Sequence, residues 1–237
     1  MSDIATKIRA GLERDPAINL HEDEIEVVEN DEIRLEGSVS GIKAKRRALV
    51  AARQAAGTPR VMDCLKLRPE EQKNDDQLAD ALDQALRSDP NFRDITIAVT
   101  TDRGQDPEPG ERKEWISISA SDGILELKGI VHSLSHRRLA EVMAWWVPGV
   151  ADVANLMHVE PAEEENDAEI KEALELVFDK DPALDHEALN ILVRDGKVTL
   201  GGGVPSEEQK QRTERNCWYL PGVHDVDNQL EINPAQR

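Results

Sequence analysis

Leu125-Glu-Leu-Lys-Gly129-Ile-Val131 reads as a strand that alternates apolar and polar residues and carries a glycine near its end. Twenty residues beyond that glycine stands Gly149, within Pro148-Gly-Val-Ala-Asp-Val-Ala-Asn155, a turn that runs into another alternating strand. Both halves of this stretch recur. Ile33-Arg-Leu-Glu-Gly37-Ser-Val39 and Val198-Thr-Leu-Gly-Gly202-Gly-Val204 repeat the first half, with Gly57 and Gly222 again twenty residues on. Pro221-Gly-Val-His-Asp-Val-Asp-Asn228 repeats the second half, and upstream an Asp-Pro pair closes a helical pattern at Asp15-Pro16, Asp89-Pro90 and Asp181-Pro182. Landmarks in one order, with one spacing held three times, identify an internal repeat.

One copy defines the unit. Ile4, Ile8 and Leu12 recur at helical spacing and stop before Pro16, which cannot sit inside a helix. Ile25 and Val27, then Ile33, Leu35 and Val39, alternate as two strands across an Asn30-Asp31 turn. A second helix runs from about Ile42 to Ala56, Gly57 ends it, and Val61, Asp63, Leu65 and Leu67 form a last strand. The tight turn makes the first pair of strands antiparallel, and the strand–helix–strand crossover makes the last pair parallel. The expected fold class is α+β: three tandem two-layer domains, each helix-strand-strand-helix-strand, with two helices on one face of a mixed three-stranded sheet. In the second helix Ala48, Ala52 and Ala55, Ala140, Ala144 and Val147, and Thr213, Cys217 and Leu220 share one face, so Cys217 reads as a buried small residue.

Domain boundaries are expected at 1–69, 70–161 and 162–237, with polar linkers at Pro69-Glu-Glu-Gln-Lys-Asn and Pro161-Ala-Glu-Glu-Glu-Asn that few packed contacts cross. The Asp-Pro aspartate lies 22 residues before the first glycine in copy one, 21 in copy three and 40 in copy two. The surplus falls near 100–115, between Ile95-Thr-Ile-Ala-Val99 and Trp115-Ile-Ser-Ile118, and is expected to be an extended hairpin.

Composition narrows the function. Among 237 residues, 29 are Lys or Arg and 48 Asp or Glu, a net charge of −19 that excludes nucleic acid binding through a generally basic surface. Cys64 and Cys217 cannot build a disulfide framework and read as reduced thiols. The beginning of the chain shows no long apolar run of a secretory signal, and no stretch approaches the roughly 20 apolar residues of a membrane span. The expectation is a cytoplasmic protein, peripheral to a membrane if associated with one.

The copies resemble the BON domain, a module named for bacterial osmotic-shock and nodulation proteins. The likeness rests on the helix ending in Asp-Pro, the strand pair closing in Leu-x-Gly, and the small-residue helix running into Pro-Gly-Val-x-x-Val-x-Asn. Copy one departs from it, with Gly57-Thr-Pro for Gly-Val and Asp63 for the asparagine. The resemblance implies a non-enzymatic module, usually in tandem, that docks onto phospholipid surfaces or membrane-associated assemblies.

Candidate sites are few. His132 and His136 are four apart but straddle a strand-to-helix junction, and Gly201-Gly202-Gly203 lacks the Gly-Lys-Ser/Thr of a phosphate loop. No catalytic arrangement, metal site or cofactor is expected. Asn155, Asn228 and Asp63 share one repeat position, suited to bonding nearby loop backbone. Residues 1–69 carry net zero charge, against −9 for 70–161 and −10 for 162–237, and only copy one has a basic cluster: Lys43, Lys45, Arg46 and Arg47. That cluster reads as a solvated helix face or as a contact for anionic lipid or for the acidic copies. Trp145-Trp146 and Trp218-Tyr219 fall at equivalent positions, occupied in copy one by Arg53-Gln54. They read as edge-of-core packing or as anchors at a copy–copy, partner or membrane interface. The expected function is a binding or scaffold protein for a protein partner or anionic phospholipid headgroups. The alternative is a cation-binding or stress-sensing protein that uses the acidic second and third copies.

Overall fold

Each repeat opens with an amphipathic helix that its Asp-Pro pair stops. In α1 (Asp3–Arg14) Ala5, Ile8 and Leu12 form the buried face, one position round from the expected one, which leaves Ile4 at 37 % exposure. Asp15 then folds back to accept the Ala17 amide at 3.0 Å, a local turn that replaces the helical bond Pro16 denies. The computed structural model describes residues 3–58, 60–69, 71, 73–100, 114–182, 184 and 189–233. The chain divides into two compact units, Met1–Arg68 and Pro69–Arg237.

The first unit is one module. Strands β1 (Glu24–Glu29) and β2 (Ile33–Val39) pair antiparallel, and β3 (Val61–Leu67) lies parallel to β2 on its other side. Between them α2 (Ile42–Ala56) ends at Gly57, whose φ of 65° is the left-handed cap that glycine adopts most readily. Leu35, Val39, Val61 and Leu65 pack against Ala44, Ala48 and Ala52 of α2 and Ile8 and Leu12 of α1. Small residues on α2 bring helix and sheet close, so a thin domain still fills its core.

The second unit holds two modules. The first comprises α3 (Asp75–Ser88), β4 (Thr96–Val99), β5 (Trp115–Ser121), β6 (Ile124–Val131), α4 (Leu134–Trp145) and β7 (Asp152–Val159), with sheet order β4-β5-β6-β7. The other comprises α5 (Asp167–Asp179), β8 (Leu189–Arg194), β9 (Lys197–Val204), α6 (Glu207–Tyr219), and a last strand in two pieces, β10 (Asp225–Asn228) and β11 (Glu231–Ile232), both parallel to β9. Mixed sheets with helices recur three times, as the periodicity requires.

One expectation is corrected. The segment near 100–115 does not join hairpin strands, because β4 runs parallel to β5, with Thr96 beside Trp115 and Val99 beside Ile118. Parallel neighbours need a crossover, and β4 widens this sheet to four strands. Residues 101–113 themselves lie outside the described residues. The linker after Pro161 makes polar contacts with α4. Glu163 accepts the Leu134 amide at 2.7 Å and so caps α4, and Glu165 lies 3.7 Å from Arg137. A carboxylate suits the positive end of a helix, which is why this acidic stretch folds back there.

Many of the acidic residues serve the fold. Asp122-Gly123 and Asp195-Gly196 have positive φ at both positions, the tight turn that matches strand twist. The Asp75 carboxylate accepts the Asp122 and Gly123 amides at 3.0 and 2.9 Å, and Asp167 accepts those of Asp195 and Gly196 at 2.7 and 2.9 Å. In the second and third modules the first helix is thereby tied to its own hairpin.

Candidate functional site

The second helix of each module presents two useful faces. Toward the sheet lie Ala48 and Ala52, Ala140 and Ala144, and Thr213 and Cys217, all fully buried. Burial pushes the Cys217 thiol well up, which suits a packing residue and not a nucleophile. On the opposite side, residues at spacings of three, four and three form an outer stripe. It reads Lys43, Arg46, Val50 and Arg53 in α2; Ser135, Arg138, Val142 and Trp145 in α4; and Glu208, Gln211, Arg215 and Trp218 in α6.

These stripes meet different fates. In α2, Lys43 and Arg53 are exposed, and Arg46 and Val50 half-buried. In α4 the equivalent residues are all buried, because α5 and α6 of the next module pack against that helix. In α6, Glu208, Gln211 and Arg215 are exposed while Trp218 is buried.

The expected basic cluster therefore divides. Lys45 is 3 % exposed and cannot act as an outward contact, a correction explained by helical phase, which turns it toward β3. Its Nζ donates to Asp63 Oδ1 at 3.0 Å and to the Leu65 carbonyl. Arg47 turns toward α1 and reaches Asp15 Oδ2 through two donors, at 2.9 and 2.7 Å. Lys43 remains outward with Arg46 half-buried beside it, and Arg53, outside the expected cluster, is exposed on the same stripe.

Lys45 also shows how one repeat position is satisfied in two ways. Asn155 Nδ2 donates to the Arg137 carbonyl and to Glu141 Oε2 at 3.0 and 3.2 Å, and Asn228 Nδ2 to the Lys210 carbonyl and Glu214 Oε2 at 3.2 and 3.1 Å. Their partners include the neighbouring helix, beyond the loop backbone expected. Asp63 has no such donor, and Leu49 stands where the glutamates would be; Lys45, at the position of Arg137 and Lys210, supplies the bond instead.

Three of the four aromatic residues, Trp145, Trp146 and Tyr219, make contacts where the second and third modules meet. The Trp146 indole N–H donates to Asn216 Oδ1 at 3.2 Å, and the Trp145 ring stacks on Tyr219 with centroids 6.2 Å apart. Trp218 is buried and donates to Glu214 in its own helix at 3.4 Å. An ion pair adds to this junction. Asp15 and Asp181 find arginine partners, Arg47 and Arg212, within their own modules. In α4 that position is Leu139, and Asp89 instead holds Lys180, just beyond α5, at 2.9 Å. Burial by itself would raise the Asp89 carboxyl, but the Asn91 bonds and Lys180 outweigh it and hold it below its ordinary range.

His136 stands in the same corner, edge-on to Phe92 and with its ring 4.0 Å from that of His132. Burial first and His132 second push it down to about 4, against the opposing pull of Asp89 and Glu163. The folded state therefore holds His136 neutral where an unfolded chain would protonate it. Its contribution is present above the unfolded value near 6.5 and is lost as pH falls toward 4. His136→Gln is expected to flatten the fall in thermal midpoint between pH 6.5 and 4.5, measured beside the parent chain; an unchanged slope would assign the loss to the carboxylates.

Among the described residues no group of three or more His, Cys, Asp or Glu is placed to hold a metal ion, and no helix is long and apolar enough to cross a membrane. Comparison with known proteins accords with this architecture. The BON domain matches residues 2–69, 109–161 and 166–234. Osmotically-inducible protein Y of Escherichia coli (strain K12) is 27 % identical over 122 residues, covering 49 % of this chain and 61 % of that protein. Two structures of CdsD, a structural protein of the type III secretion system of Chlamydia trachomatis, align over 99 % of this chain and over 99 and 94 % of their own. At 13 and 14 % identity and a TM-score of 0.26 each, they carry no argument about this protein's arrangement. Three family matches, each centred on a Leu-x-Gly strand and a small-residue helix, decide the matter: the chain belongs to the BON domain family.

Proposed function

We propose that the chain is a non-enzymatic docking protein whose first module engages an anionic phospholipid surface through the outer stripe of α2. One observation carries this: of the three equivalent stripes, only that of α2 presents a row of cations, with Lys43 and Arg53 exposed and Arg46 half-buried between them, and it does so from the one module without net negative charge. A basic side chain near an anionic leaflet contributes about 1 kcal/mol, so three give weak, reversible and salt-sensitive attachment. The acidic remainder of the chain opposes this attraction. The name of its relative supports a role under osmotic stress.

Flotation on phosphatidylglycerol-containing vesicles tests the proposal. The parent chain should float at low salt and be released at about 0.5 M, where screening is strong. The double change Lys43→Glu and Arg53→Glu, at the two exposed positions, should lower bound protein by about tenfold or more with an unchanged melting curve. Lack of flotation by the parent overturns the lipid assignment, as does equal flotation by the variant.

A further inference from the structure

In α4 the stripe is covered but incompletely satisfied. Ser135 Oγ, Arg138 Nη1 and Trp145 Nε1 are buried without a hydrogen-bond partner, and all three lie on this one face. Arg138 is 3 % exposed, and its guanidinium lies beside Gly222 of the third module. Burial pulls its pKa down, while Glu165, Glu169 and Glu141 act on it from nearby. An interior guanidinium lacking an acceptor is costly, and natural cores seldom leave such groups together without a reason. The covering helix, α5, is itself acidic and amphipathic, with Asp167 and Glu169 in its first turn and Ile170, Leu174, Val177 and Phe178 buried.

We propose that the α4 stripe is an exchangeable docking face, occupied in cis by α5 and able to accept an acidic amphipathic helix from another protein in its place. The face is basic at Arg138, aromatic at Trp145, and already packed against a helix of that chemistry. A competing helix that sets a carboxylate against Arg138 and acceptors against Ser135 and Trp145 completes the bonds α5 leaves open. The cis state is held by Lys180 on Asp89, Glu163 on the Leu134 amide and Trp146 on Asn216. A ligand shifts such an equilibrium only by its differential affinity, and the open polar atoms provide that difference. This inference is independent of the lipid reading, which concerns α2.

A fluorescent synthetic peptide spanning residues 166–180, the chain's own acidic helix, serves as the probe on the full-length protein. Lys180→Met removes one cis tie and should raise peptide affinity by about tenfold over the parent chain. Adding Arg138→Met should lower that binding by about threefold, because Glu169 of the peptide then loses the guanidinium that attracts it. Equal peptide binding with and without Arg138, or no binding to the Lys180→Met chain, overturns the proposal. So does a large fall in thermal midpoint for Arg138→Met, which would mean that water completes the guanidinium. Peptide-resistant dimers of the Lys180→Met chain also overturn it, since a second copy would then be the occupant.

Discussion

Replacing Gly129 by alanine is expected to unfold the second module. This glycine lies in central strand β6 opposite Ile116, and its φ of 146° is outside the range side chains favour. A Cβ there would stand 2.0 Å from the Trp115 carbonyl oxygen, a backbone atom that moves only if β5 moves. Gly37 repeats the situation, with φ 123° and a Cβ 1.9 Å from the Glu24 oxygen. Combined clash and backbone strain place each change at about 3–5 kcal/mol, most of the stability of a small domain. The readout differs between them. Gly37→Ala should remove the transition of the first unit in calorimetry, and Gly129→Ala should loosen the third module as well as the second, because the third packs on α4. A wild-type melting curve for either variant would show that the sheet yields and that this Leu-x-Gly glycine is not required.

Asp63→Ala should cost nearly as much, about 3–5 kcal/mol, by leaving the Lys45 ammonium buried beside a carbonyl without its counter-charge. The other modules indicate a repair. Asp63→Asn with Leu49→Glu installs the amide–carboxylate pair that Asn155 forms with Glu141 and Asn228 with Glu214. In a double-mutant cycle by urea denaturation the two changes should couple favourably by about 1–3 kcal/mol. Strict additivity would mean that the repeat position tolerates any polar residue and that the exchange between modules is incidental.

The shared architecture was legible because its determinants are local. Alternation shows a half-buried strand, an Asp-Pro pair shows where a helix must stop, and a glycine at fixed spacing marks a backbone approach that no side chain allows. Such signals survive repetition, so three noisy copies gave one clear module and one family. The segment before Trp115 was misread for the same reason. Alternating residues identify strands but not their direction, and β4 pairs with β5 in the sense a hairpin cannot have.

The candidate sites were legible only in part. Lys43 and Arg46 stood out as charge, yet sequence adjacency grouped them with Lys45 and Arg47, whose helical phase sends them to Asp63 and Asp15. Reading the cluster at spacings of three and four would have separated it, and carried into the second copy would have found Ser135 and Arg138. The partnership of Asp89 with Lys180 has no such signal, since the two residues belong to different repeats.

By itself, then, the sequence determined the module, its core face, its turns and its family, all properties of residues a few positions apart. Tertiary structure alone decided which of three equivalent helix faces meets solvent. Burial of the α4 stripe depends on a helix from the next repeat coming to rest on it, and that contact is settled by the summed packing of two modules rather than by any periodicity along α4.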